Sequence, residues 1–306
     1  MDNFFIHFVL CNITIGLFVL ILLCMKRIFK HCLTPRMQFN LWIPFTISLL
    51  VPFLPVSFST LSTKMQDLFH PLAHFSHTVH TTNTSEYTSS STNQIYDYAI
   101  SMRTQFPVYI STIFCVIWGI GMFVMLFSFV RSLVLLHHMR RTANLMQDKR
   151  IHDIYMTCLS ELQLRKSIPL YSSSIIDTPV STGILRPAIF LPLHHISNFE
   201  EQEIRYILLH ELMHCYYKDA IFNYCMNIIR ILYWFHPLIW LITKEFYTER
   251  ELACDTSVLR LLGANEQISY GVTLLHFVDK QTNTPLSLLN NLSENAKQMK
   301  RRILNI

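Results

Sequence analysis

Charge, glycine and paired cysteines are what this sequence has little of. Charged residues fill 15% of its 306 positions and glycine only 6 of them, while 51% are hydrophobic. That balance excludes an ordinary soluble domain and indicates a membrane protein. The eight cysteines show no paired spacing, which excludes a disulfide framework, and Cys215 and Cys254 are expected to face a reducing cytosol. The formal net charge of +5 calls for no nucleic acid, because the basic residues concentrate beside apolar stretches where they would meet anionic cytoplasmic lipid.

The apolar sequence falls into spans. A first fits Phe4 to Met25, long enough for the roughly 20 apolar residues that a bilayer core requires. Lys26-Arg27-Ile28-Phe29-Lys30 follows where a cleavage site would need small residues, so the span reads as an uncleaved anchor. A second span is expected near 38–58, broken by Pro44, Pro52 and Pro55, and a third near 107–136. Between them lies a polar segment, 60–106, nearly free of Lys and Arg and expected outside. Its histidines at 70, 74, 77 and 80 read as solvated polar sequence rather than a metal site. Lys26, Arg27, Lys30 and Arg36 after the first span, with Arg131, Arg140 and Arg141 at the end of the third, put those ends inside and the amino terminus outside. Residues 1–141 are thus the membrane region and 142–306 a cytosolic domain.

That domain is expected to begin with a helix from Thr142 to Gln163 and to pass into β-rich sequence. Ile168–Tyr171 and Ala188–Pro192 read as short strands, with Gly183 and Pro187 marking the turn between them. A strand at a sheet edge beside the candidate site can hold an extended peptide, although simple packing explains it equally well. Residues 197–201 read as the capped start of the next helix.

That helix carries His210-Glu211-Leu212-Met213-His214 in an apolar run. Positions i and i+4 share one helix face, so His210 and His214 can both reach one Zn2+ while Glu211 projects beside it. Zinc lowers the pKa of its bound water, and Glu211 can take that water's proton and hand it to a leaving amine. A third ligand must come from elsewhere. Thr248 to Asp255 offers Glu251, with Asp255 one turn later to accept a hydrogen bond from a ligand imidazole, which is the gluzincin pattern. Glu249 and Cys254 are rival third ligands, and Asp219 either orients the site or caps the helix end. The expected fold class is therefore membrane α-helical spans plus an α+β, gluzincin-like zinc metalloprotease domain.

The apolar stretch 220–243 could be scored as another span. A single crossing, however, would leave His214 and Glu251 on opposite sides of a core about 30 Å thick. It is expected instead to return to its own side, as a hairpin or a membrane-dipping segment bent near His236-Pro237.

Together, His210–His214, Asp219, Tyr233 to Trp240, Arg250–Asp255 and Leu289 to Arg302, with Gly183–Pro192 ahead of the zinc helix, resemble the β-lactam sensor-transducer family of integral-membrane zinc metallopeptidases. The resemblance implies His210, His214 and Glu251 as zinc ligands and Glu211 as base. It also implies a cytosolic protein substrate, a transcriptional repressor of resistance genes, lost when an outer domain is acylated by antibiotic. The chain stops at Ile306, before that family's last span and sensor, so antibiotic sensing is not carried over to the residues present. Lys300-Arg301-Arg302-Ile303 resembles the basic segment where relatives cut themselves, here between Arg301 and Arg302, although positive charge ahead of a following span accounts for it equally. The competing class is a catalytically silent membrane scaffold or receptor remnant. Homo-oligomerisation is left open.

Overall fold

The computed structural model describes residues 2–29, 33–50, 108–164, 166–176, 178–192, 196, 199–282 and 300–304. Contacts divide the chain into two compact units, one from residues 1–15 and 47–120, the other from 16–46 and 121–306. The predicted outer segment 60–106 lies outside the described residues, as do the ends of the predicted second span. What is described of the first unit is helical. It holds the start of α1 (Asp2–Phe29), the end of α3 (Trp42–Leu50) and the start of α4 (Val108–Thr142).

Among the described residues, α4 contains the one stretch, Thr112–Thr142, that is long and apolar enough to cross a membrane. Its Ile120, Phe123, Phe127, Val130 and Val134 side chains are exposed, a surface that water does not favour. Arg140 and Arg141 close it. The first predicted span coincides with α1. The described part of the second is not one helix but two, α2 (Pro35–Asn40) and α3, with a turn at Leu41. Pro44 accounts for the restart. It lacks an N–H, and in the first turn of a new helix that donor would have no partner to lose.

In the second unit, the predicted helix from Thr142 begins later. Asn144–Leu145 is a short strand, β1, and Asp148 caps α5 (Lys149–Glu161) by accepting from the Arg150 N–H. β1 starts a four-stranded sheet in the order β1-β2-β4-β3, with β2 Leu170–Ser173, β3 Val180–Thr182 and β4 Ala188–Pro192. β2 and β4 are parallel, and the two outer pairs are antiparallel. β4 has the bounds read from the sequence, β2 lies two residues later than expected, and β3 was not foreseen.

Every β4 residue is buried, and the period of two assigns its two faces. Ile189 and Leu191 join the main core with Ile151, Ile204, Leu208, Leu212 and Val258, whereas Ala188 and Phe190 pack on Met139 near the end of α4. The membrane-length helix is thereby docked on the sheet. Gly183 closes the β3–β4 turn at φ +106, where a Cβ would strike the Arg186 carbonyl. That same carbonyl accepts from Arg140.

The motif helix α6 (Glu201–Tyr216) starts with a reciprocal capping box between Glu200 and Glu203. Lys218, in the left-handed conformation, then turns the chain into α7 (Asp219–Leu232). After a break at residues 233–236, Pro237 opens α8 (Pro237–Leu262) at a position that tolerates proline. The stretch 220–243 is thus two helices that pack on each other and on α6, the expected hairpin, with its bend at His236-Pro237. A 3-10 turn leads to α9 (Gln267–Thr282).

One buried hydroxyl ties α5 to the sheet. Tyr155 Oη donates to the Ile168 carbonyl and accepts from its N–H, at 2.5 and 2.8 Å. Tyr155→Phe leaves both backbone groups without a partner, and the expected loss is about 2–4 kcal/mol. Thermal unfolding of the purified variant checks this, and an unchanged melting temperature would contradict it.

Candidate metal centre

Two helices supply the donor atoms. His210 and His214 lie one turn apart on α6, and Glu251 comes from the middle of α8. Their side chains are almost fully buried. The two Nε2 atoms are 3.2 Å apart, and the Glu251 oxygens lie 3.4 Å from His210 Nε2 and 3.8 Å from His214 Nε2. Ligands about 2.0–2.1 Å from a tetrahedral zinc stand roughly 3.3–3.4 Å apart. The spacing between the imidazoles and that from His210 to the nearer Glu251 oxygen fit this, while the 3.8 Å contact to His214 is made by the other Glu251 oxygen, the one that Arg250 holds. Glu211, also buried, lines the same cleft of about 220 Å3.

Each imidazole is steered from its far nitrogen. His214 Nδ1 bonds Asp219 at 2.8 Å, so Asp219 orients the ring from the first turn of α7. His210 Nδ1 lies 3.3 Å from Asp255 and 3.0 Å from the Tyr270 hydroxyl, which donates to Asp255 at 2.7 Å. Both Nδ1 contacts direct Nε2 toward the metal position. The sequence pointed to the two aspartates. Tyr270 was missed because it comes from α9, with no spacing signal linking it to the motif.

The rival ligands have other partners. Glu249 accepts from Lys26 and from the Trp42 indole, and the Lys26 ammonium sits 3.9 Å over the Trp42 ring. Cys254 Sγ approaches both histidines closely enough to be counted as a donor. Its nearest ring nitrogen, however, is His210 Nδ1 at 3.6 Å, on the side already taken by Asp255 and Tyr270, and its thiol donates to the His210 carbonyl. Glu251 is better placed. Arg250 holds one of its oxygens, and the other lies 3.4 Å from His210 and 3.7 Å from Arg302.

Burial alone would raise the Glu251 carboxyl, but Arg250 and the two histidines hold it well below the ordinary carboxylate range. Burial would likewise lower the imidazoles, yet Cys254, Asp255, Glu251 and Asp219 keep both well above theirs. The pocket therefore favours positive charge, as a divalent ion would supply. Burial, with the Glu211 carboxylate adding to it, pushes the Cys215 thiol up to about 12, so this neighbour stays a neutral thiol and no nucleophile.

The basic segment also reaches the site. Residues 300–303 are helical, and Arg302 forms a two-point pair with Asp255 at 2.7 and 2.8 Å. Arg301 points elsewhere, to Glu245. Residues 289–299 of the stretch that carries the family resemblance lie outside the described residues.

Two histidines and a glutamate on buried helices thus form a candidate metal centre in a mostly helical chain with a membrane-length helix and a small sheet. Comparison with known proteins agrees. Residues 6–306 match the family model described as BlaR1 peptidase M56, and the chain belongs to that family. It is 30% identical over 308 residues to the regulatory protein BlaR1 of Bacillus licheniformis, covering 100% of this chain and 51% of that one. Against the methicillin resistance mecR1 protein of Staphylococcus aureus it is 25% identical over 248 residues, 78% of this chain and 40% of the relative. Against the BlaR1 of Staphylococcus aureus it is 23% identical over 303 residues, 94% and 48%. The chain spans about half the length of the curated relatives it matches.

Metal analysis of purified variants separates the ligands. Replacing His210, His214 or Glu251 by Ala removes bound zinc, while Glu249→Ala and Cys254→Ser keep it, and Tyr270→Phe weakens it about tenfold. Retention by Glu251→Ala with loss in Cys254→Ser would reverse the assignment. Protons compete for the same imidazoles, whose raised pKa makes them harder to deprotonate. Zinc titrations should therefore give weaker binding at about pH 6 than at about pH 8; equal affinities would exclude histidine ligation.

Proposed function

We propose that this chain is a membrane-embedded zinc metalloendopeptidase of a β-lactam resistance signalling system, cutting peptide bonds on the cytosolic side. The observation that carries the proposal is the convergence of His210, His214 and Glu251 donor atoms beside Glu211 in one cleft. Membership of the BlaR1 peptidase M56 family supports it, and so do relatives named for regulation and methicillin resistance.

When bound, zinc polarises the scissile carbonyl and acidifies the attacking water. The chain does the rest. His210 and His214 are oriented by Asp255, Tyr270 and Asp219 so that their other ring nitrogens face the metal position, and Glu251 completes the set. Glu211 takes the water's proton and delivers it to the leaving amine. β3 forms one wall of the cleft and, among the described residues, pairs only with β4. Its other edge can take an extended substrate by main-chain hydrogen bonds. The substrate class proposed is a cytosolic protein, in particular a transcriptional repressor of resistance genes.

The proposed topology has an outside amino terminus, membrane spans over α1, near 38–58 and over α4, and a cytosolic domain from residue 142 whose α7–α8 hairpin is associated with the membrane. Arg140 and Arg141 at the end of α4 support that orientation. Self-cleavage between Arg301 and Arg302 is part of the proposal, but the bond lies in a helical turn and Arg302 is held by Asp255. Cutting requires the turn to open, so it is slow.

Hydrolysis of fluorescently quenched casein by the zinc-loaded chain in lipid nanodiscs tests the enzyme reading. Glu211→Gln should lower the rate at least about a hundredfold with zinc content unchanged. Intact mass of the carboxyl terminus should show slow trimming in the wild type and none in that variant. A zinc-loaded wild type that cuts neither casein nor a purified repressor would favour the scaffold reading, and trimming that persists in Glu211→Gln would belong to another protease.

A further inference from the structure

The metal cleft opens into more space than the reaction uses. Val180, Ser181, Thr182 and Asn223 wall both the metal cleft and a second cavity of about 480 Å3, which runs between β3, α7 and the α4 face that carries Ser128 and Ser132. The two spaces share the β3 wall. No Asp or Glu lines the second one.

One side chain in it is out of balance. Arg230 stacks its guanidinium 4.6 Å from the Trp240 ring, and its buried Nε has no hydrogen-bond partner. Among the described residues no carboxylate pairs with it. Two arginines near the metal cleft differ, since Arg250 is paired with Glu251 and Arg302 with Asp255. A partly desolvated guanidinium without an anion is unfavourable unless an occupant supplies one. An ionisable side chain on a hairpin beside a membrane-length helix, facing a cavity rather than lipid, is the usual mark of a binding path.

The spacing sets where that anion sits. Asn223, Asn227 and Arg230 follow one another by four and three residues and so share one face of α7. Arg230 lies seven residues beyond Asn223, about 10 Å along the helix, and eleven beyond Asp219, about 16 Å. An extended chain advancing about 3.3 Å per residue covers those distances in roughly three and five residues.

We infer that the second cavity extends the substrate cleft and takes a peptide segment bearing an acidic side chain, whose carboxylate Arg230 recognises about three to five residues from the bond that is cut. The inference rests on the peptidase reading. A peptide is favoured over a lipid headgroup because the cavity shares the β3 edge with the metal cleft, whereas a phosphate would need Arg230 alone.

The test uses the zinc-loaded full chain carrying Glu211→Gln, in phosphatidylcholine nanodiscs, and short fluorescent peptides in which one Glu, or its Gln counterpart, is moved along the sequence. One position should bind about tenfold more tightly with Glu than with Gln. Arg230→Gln should abolish that preference, and Arg230→Lys should keep part of it. Equal binding of Glu and Gln peptides at every position overturns the inference, and this comparison needs no Arg230 variant to fold. A Glu preference that survives Arg230→Gln also overturns it. So does an Arg230→Gln effect confined to association with phosphatidylglycerol, which would assign Arg230 to a lipid headgroup. Hydrolysis by the Glu211 chain is read separately: cleavage without acidic preference sinks only the groove, and acidic preference without cleavage sinks only the peptidase reading.

Discussion

A buried cluster of two imidazoles and a carboxylate organises the rest of the structure. The imidazoles of His210 and His214 and the carboxylate of Glu251 approach within 4 Å of one another, and such a cluster is costly unless charge is compensated and every remaining polar atom is held. The surroundings do the holding. Asp219, Asp255 and Tyr270 take the outer nitrogens, and Arg250 takes the outer oxygen. Several separate helices are thereby committed to one small volume.

The same demand shapes the backbone. His214 and Glu251 are 37 positions apart in sequence, and the chain between them is apolar enough to enter a membrane. It returns as the α7–α8 hairpin, which brings Glu251 back beside His214. Lys218 in the left-handed region begins the turn, and Pro237 at the first position of α8 completes it. From there α8 passes the buried Lys26, Trp42 and Glu249 cluster two residues before Glu251, so the ligand helix is fixed to the end of α1 and to α3 just ahead of the metal site.

What was legible in the sequence was what has a period or a forced geometry. The i, i+4 histidines, the glutamate and aspartate one turn apart, and the hairpin each follow from helix geometry or from membrane thickness, and α4 and β4 follow from uninterrupted apolar runs. What was missed depends on tertiary contact. β3 is three residues long, too short for alternation to register, yet it walls the site. Tyr270 and Arg250 gain their roles from partners on other helices. The start of α5 was misplaced because the apolar run of α4 continues helically to Thr142, and only the Asp148 cap, with β1 before it, marks a new element. The helical turn at residues 300–303 likewise rests on a tertiary contact, the Arg302–Asp255 pair.

The central claim is that Glu251, and not Cys254, joins the two histidines on the metal. X-ray absorption at the zinc edge of the zinc-loaded full chain reads the ligand atoms directly. The account predicts imidazole and oxygen scatterers at about 2.0–2.1 Å and no sulfur. A zinc–sulfur shell at about 2.3 Å would contradict it.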